Sequence, residues 1–196
     1  KGQKNGEINF PSGIAIDDND NLYIADNMND RIQVFTLKGD FIRSWGKEGN
    51  NEGEFNKPWG IKVYGDKILV ADWRNARIQI FDKDGKFLAK FGESEKEEEN
   101  LFRPSDVAID KNNFYYVCDW GKQRVQIYDD KFKFCGFLRG ESTLSEWAKD
   151  YLDANNDERL ARESFVPLIP VDEVDPHEKS ARIESYFWDP TSLIVD

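Results

Sequence analysis

Three pairs of residues have the types and spacing for chemistry: Asp26 with Arg31, Asp72 with Arg77, and Asp119 with Arg124. A carboxylate can act as a general base, and a nearby guanidinium can steady developing negative charge. Each pair, however, sits inside one recurring phrase. Residues 24–36 read "IADNMNDRIQVFT", residues 70–82 "VADWRNARIQIFD" and residues 117–129 "VCDWGKQRVQIYD". A catalytic pair is needed once, whereas a pair written into every copy of a repeat is expected to hold each copy together. The Asp closes one strand, where its oxygens can accept turn N–H groups, and the Arg opens the next.

Other chemistry is thinly supported. "DDNDN" at 17–21 places Asp17, Asn19 and Asn21 at alternate positions, as in a calcium loop. That loop also needs Gly sixth and a bidentate Glu twelfth, and the chain has Leu22 and Met28 there. The stretch is expected to be a hairpin turn. His177 is the only histidine, which argues against a His-based zinc site or a Ser–His or Cys–His nucleophile pair. No phosphate-cradling Gly loop appears, and no spacing of the many carboxylates marks an acid–base pair. The expectation is no catalytic residue, no metal and no cofactor. The net charge of −11 opposes general binding to nucleic-acid backbones. No apolar run reaches the roughly 18 residues of a membrane span.

The elements that position these residues follow from the repeat. Counting from Pro11, Pro58 and Pro104, each unit runs through four short segments. They read "PSGIAID", "NLYIAD", "RIQVF" and "FIRSW" in the first unit and "PWGIKVY", "KILVAD", "RIQIF" and "FLAKF" in the second. The third reads "PSDVAID", "FYYVCD", "RVQIY" and "FCGFL". All are rich in β-branched and aromatic residues and bounded by Gly, Asn and Asp, the signature of strands joined by tight turns. The third segment alternates strictly with apolar groups on both faces, so both faces are expected to be covered. Four antiparallel strands repeated about every 46 residues describe the blades of a β-propeller.

The stretch "GEFNKPWGIKV…ILVADWRNARIQIFDKDGKFLAKFG" resembles an NHL repeat: Pro-x-Gly-aliphatic, aliphatic-Ala-Asp, Arg-Ile-Gln-aliphatic-Phe, then an aromatic-Gly end. The third unit departs at Asp106, which replaces the Gly, and at Lys131-Phe132, which replaces the turn glycine. The resemblance implies an all-β fold of four-stranded antiparallel NHL-type blades. It also implies a propeller commonly of six blades used as a binding scaffold, with a minority of related propellers being enzymes.

The expected layout is one partial propeller over 1–196, with blades at about 10–46, 57–92 and 103–140. Residues 141–189 do not repeat. "STLSEWAKDYLD" carries a Thr143/Glu146 capping box and an apolar stripe at Leu144, Trp147, Ala148, Tyr151 and Leu152, which predicts an amphipathic helix. This helical insertion carries 13 acidic and 5 basic residues. "DPTSLIVD" at 189–196 matches the opening of a unit, so residues 190–196 are expected to begin another blade. Three blades do not close a ring, and the sequence is expected to be a piece of a longer propeller. Cys118 and Cys135 occupy apolar positions of non-neighbouring strands and are expected to be buried free thiols, a mild pointer to a reducing compartment. The localisation is otherwise open.

The letters that vary within the phrase are "NMND", "WRNA" and "WGKQ". In an up-and-down meander these turns share one end with the linkers between blades. Variable loops on a rigid repeat are where binding resides. The candidate face therefore comprises Asn27, Met28, Asn29, Trp59, Trp73, Arg74, Trp120, Lys122 and Gln123. An exposed Trp is costly unless something covers it; the alternative is that these Trp pack on neighbouring blades or under the insertion. The favoured function is a non-catalytic scaffold presenting this face to a protein, peptide or small ligand. The alternatives are a propeller lyase or hydrolase and a single-stranded RNA-binding propeller. Against RNA stand the net charge and the "EKEEE" linker at 95–99.

Overall fold

Alternating apolar segments broken by Asp-, Asn- and Gly-rich turns fold into three four-stranded sheets. In the computed structural model the described residues are 1–138 and 153–157. The first sheet contains β1 (Pro11–Ile16), β2 (Asn21–Asp26), β3 (Arg31–Thr36) and β4 (Phe41–Trp45). The second contains β5 (Pro58–Tyr64), β6 (Lys67–Asp72), β7 (Arg77–Asp82) and β8 (Phe87–Phe91). The third contains β9 (Pro104–Ile109), β10 (Tyr115–Asp119), β11 (Arg124–Tyr128) and β12 (Phe134–Leu138). Every sheet is an antiparallel meander in chain order, with no strand exchanged between sheets. These are the expected blades. No α-helix interrupts them; single 3-10 turns follow β2, β6 and β10.

The blades stack face to face. Tyr23, Ala25, Ile32 and Val34 of the first pack with Ile61, Ile68, Val70 and Phe81 of the second. Leu69, Ala71, Ile78 and Ile80 on the other face of the second pack with Val107, Tyr115, Val117 and Tyr128 of the third. Both faces of the central sheet are thus buried, as its two apolar registers require.

The first strands of successive blades, β1, β5 and β9, lie side by side. Their approach explains the glycine of the Pro-x-Gly opening. A Cβ on Gly13 would fall 2.4 Å from the Trp59 carbonyl oxygen, and one on Gly60 would fall 2.4 Å from that of Ser105. Polar groups tie the same seam: the Ser12 hydroxyl donates to the Pro58 and Trp59 carbonyls at 2.9 and 3.0 Å.

One sequence expectation is corrected. Cys118 is buried as expected, but Cys135 is exposed. Cys135 lies on β12, the outermost strand of its blade, at the position held by Ile42 and Leu88 in the other units. Those two side chains are exposed as well. The outer strand has a neighbour on one side only, so an apolar residue type there did not imply core. The helical insertion at 141–189, apart from five exposed residues at 153–157, and the further blade opening at 190–196 lie outside the described residues.

Candidate binding face

The repeated Asp, Arg and Gln form a clamp. Asp72 is fully buried and accepts from the Asn56 amide at 2.8 Å, Asn75 Nδ2 at 2.9 Å, Arg77 Nε at 2.8 Å and Gln79 Nε2 at 3.1 Å. Arg77 donates onward to the carbonyls of Asn50, Asn51 and Glu54 at 2.8–2.9 Å. Gln79 also reaches Glu54 O at 2.7 Å, while its Oε1 accepts from the Gly53 amide. In the first blade Asp26, Arg31 and Gln33 bind the chain at 3–9 in the same way. In the third, Asp119 accepts from the Arg103 amide at 2.9 Å and Gln126 Nε2 at 2.9 Å. Arg124 donates to Glu98 O and lies over the Phe137 ring. The held letters therefore pin the linker entering each blade, using charge-assisted bonds in the protein interior.

With the linkers pinned, the turns after β2, β6 and β10 stand beside them at one end. Met28 N donates to Asn9 O, Arg74 N to Asn56 O and Trp120 N to Arg103 O. Several residues that vary within the phrase are bonded to the scaffold. Asn27 is buried and gives its Nδ2 to Pro58 O at 3.0 Å across the blade seam. Asn29 Nδ2 bonds Gly2 O and Asp26, each at 2.8 Å. Lys122 Nζ bonds Glu97 O at 2.6 Å and Asn100 O at 2.7 Å. Gln123 is half-buried and left-handed at φ 52°. Met28 and Arg74 are exposed.

Trp59, Trp73 and Trp120 form one row. The centroids of Trp59 and Trp73 are 5.7 Å apart, and those of Trp73 and Trp120 6.2 Å apart across the seam between the second and third blades. All three indoles are half-buried. Each covers part of its neighbour, which lowers the cost of surface exposure while leaving aromatic area at the end of the blades.

Two residues that the sequence did not single out complete the surface. Arg103 places its guanidinium carbon 5.1 Å from the Trp73 centroid and 4.5 Å from that of Phe102. Arg74 lies 5.7 Å from the same Trp73 centroid. Burial, then the Arg74 charge, lowers the pKa of Arg103. Phe102 is exposed and Arg103 half-buried. The available signal was positional: Arg103 precedes the blade-opening Pro104, as Trp59 follows Pro58.

The "DDNDN" stretch is a turn. Asp17 accepts from the Asn19 and Asn21 amides at 2.9 Å each, Asn21 Nδ2 at 3.0 Å and Tyr23 Oη at 3.1 Å. Burial alone would raise its pKa, but these donors hold it below the ordinary value of 3.8. Among the described residues, no three His, Cys, Asp or Glu side chains gather as a metal-holding group.

Comparison with known proteins agrees with the blades. Residues 9–35 match the NHL repeat, and residues 56–141 match the family model described as a 6-bladed beta-propeller. No curated protein matches the chain. Among solved structures, a protein of unknown function from Bacteroides caccae is 15% identical, with a TM-score of 0.53, covering 64% of this chain and 47% of its own. A catalytically inactive virginiamycin B lyase from Staphylococcus aureus with quinupristin is 16% identical, with a TM-score of 0.51, covering 65% and 40%. The structure of U3-55K is 12% identical, with a TM-score of 0.54, covering 67% and 40%. At these identities the likeness is one of fold. The chain spans less than half the length of each structure.

Proposed function

We propose that this chain, built of NHL-type propeller blades, is a non-catalytic binding scaffold. Its binding surface is the end where the turns after β2, β6 and β10 meet the blade linkers. One observation carries the reading: the Trp59–Trp73–Trp120 row, half-buried and flanked by Arg74 and Arg103. Trp and Arg dominate the residues that carry binding energy in protein interfaces, because both offer large contact area with a directional polar group. Here they are held on blades whose buried Asp, Arg and Gln side chains fix the linkers, so little ordering cost remains to be met on association.

A protein, peptide or small ligand is the partner class that fits. A phosphate backbone fits poorly, because the chain carries a net −11 and the Glu97–Glu99 turn borders Lys122 on this same end. The test is a small-compound and peptide screen read by backbone amide and indole Nε1–H resonances of the full chain. Binders should move the Trp59, Trp73 and Trp120 signals first. Binders that consistently move only residues at the β1–β2 and β5–β6 hairpins, the other end of the blades, would reject the proposal.

A further inference from the structure

We propose that the Trp73 platform is a receptor for the carboxylate of an acidic peptide, seated by Arg74 and Arg103, with an apolar neighbour of that residue resting on the Trp row. This rests on the binding-face reading and names the chemistry the face selects.

Two cations share one indole. The guanidinium carbons of Arg74 and Arg103 lie 5.7 and 5.1 Å from the Trp73 centroid. Among the described residues neither guanidinium has a carboxylate partner, and Arg103 Nη1 bonds the Phe102 carbonyl at 3.2 Å. The neighbouring cations at this end are already engaged. Lys57 is paired with Asp30 at 2.8 Å, and Lys122 is bonded to two linker carbonyls. The acid acting on Arg103 is Asp119, which is fully buried and already accepts from the Phe102 and Arg103 amides and from Gln126. Two guanidinium groups held close on an apolar surface repel each other, and burial further penalises the charge on Arg103. An anion placed on them relieves the repulsion and gains forked, charge-assisted hydrogen bonds. The indoles on either side give the anion's apolar neighbours a surface to cover.

A single carboxylate fits better than a polyanion. The Glu97–Glu99 turn is joined to the Trp120–Lys122 turn through Lys122. A run of phosphates spanning the Trp row would meet those glutamates, whereas a single side-chain carboxylate seated at Trp73 would not.

The experiment titrates the full chain with the peptide Ac-Phe-Glu-Phe-NH2 and with its Glu→Gln counterpart, read by indole resonances and by calorimetry. The Glu peptide should bind at least about tenfold more tightly, as expected for hydrogen bonds to a charged group, and rising salt should narrow that margin. In an Arg74→Gln/Arg103→Gln variant, with the β-sheet signal checked first, the two peptides should bind equally. If the double variant does not fold, Arg74→Gln alone, at an exposed site, should still reduce the ratio several-fold. Equal binding of both peptides to the unmodified chain would overturn the carboxylate receptor and leave the binding face standing. No indole response to either peptide would count against both. Tighter binding of an oligothymidylate, lost in the double variant, would reassign the site to phosphate.

Discussion

Replacing Arg77 with Ala tests whether the repeated Asp–Arg pairs are scaffold. Arg77 is 2% exposed and makes four hydrogen bonds, one to the Asp72 carboxylate and three to linker carbonyls. Breaking a buried pair from one side costs roughly 3–5 kcal/mol, mostly because the remaining charge is stranded. Here Asp72 keeps three donors, from Asn56, Asn75 and Gln79. The freed Asn50 and Asn51 carbonyls belong to exposed residues and can take up water. The expected loss is therefore at the lower end, about 3 kcal/mol. Asp72→Ala should cost more, about 5 kcal/mol, because it leaves the Arg77 charge buried without its partner. Arg74→Ala, three residues away and exposed, should stay within about 0.5 kcal/mol. Urea unfolding of the three variants reads all of these. A loss below about 1 kcal/mol for Arg77→Ala would refute the clamp and reopen a functional role for the pair.

Other outcomes follow from the same geometry. Gly60→Ala should destabilise by about 1–3 kcal/mol, since its Cβ would meet the Ser105 carbonyl oxygen at 2.4 Å; a neutral result in thermal melts would contradict the blade seam. Burial, then Asp106 and Asp119, pushes the Cys118 thiol up to about 12, while Cys135 is exposed. A thiol reagent at pH 8 should therefore modify Cys135 in the native chain and Cys118 only on unfolding, and peptide mapping that finds Cys118 labelled first would refute this. The Asp17 pKa is held low, so its stabilisation is present above the ordinary carboxylate value and is lost as pH falls through the folded value. The stability gap between the wild type and Asp17→Ala should shrink on acidification; a gap that widens would show the sign to be wrong.

The blades were legible because the four segments recur with Pro11, Pro58 and Pro104 in phase, and a repeated phrase leaves little choice of topology. The structural role of Asp26, Asp72 and Asp119 was legible for the same reason. The linker groups they hold were not, because these are backbone amides bound by the Asp and backbone carbonyls bound by the adjacent Arg and Gln, and backbone groups have no residue type to announce them. Asn27, Asn29 and Lys122 show the limit of reading variable letters as free surface, since each has found a backbone acceptor nearby. Phe102 and Arg103 escaped notice because a linker of varied composition reads as a spacer. Only the packing of the second blade on the third brings Arg103 over Trp73. Cys135 was misplaced because apolar character does not distinguish a central strand from an outermost one.

The proposed binding end is tested most directly by selecting peptides from a display library on the immobilised full chain and challenging them with Trp73→Ala/Arg74→Ala. Truncating one half-buried indole should lower stability by about 1–3 kcal/mol, so the variant is compared at a temperature where its β-sheet signal is intact. Most selected peptides should lose at least about tenfold in affinity for the folded variant, as truncating a central Trp or Arg of an interface does, while a control Leu88→Ala on the outer strand leaves them unchanged. Peptides that bind the variant as tightly as the parent chain, or that lose affinity through Leu88→Ala instead, would contradict the assignment of binding to this end of the blades.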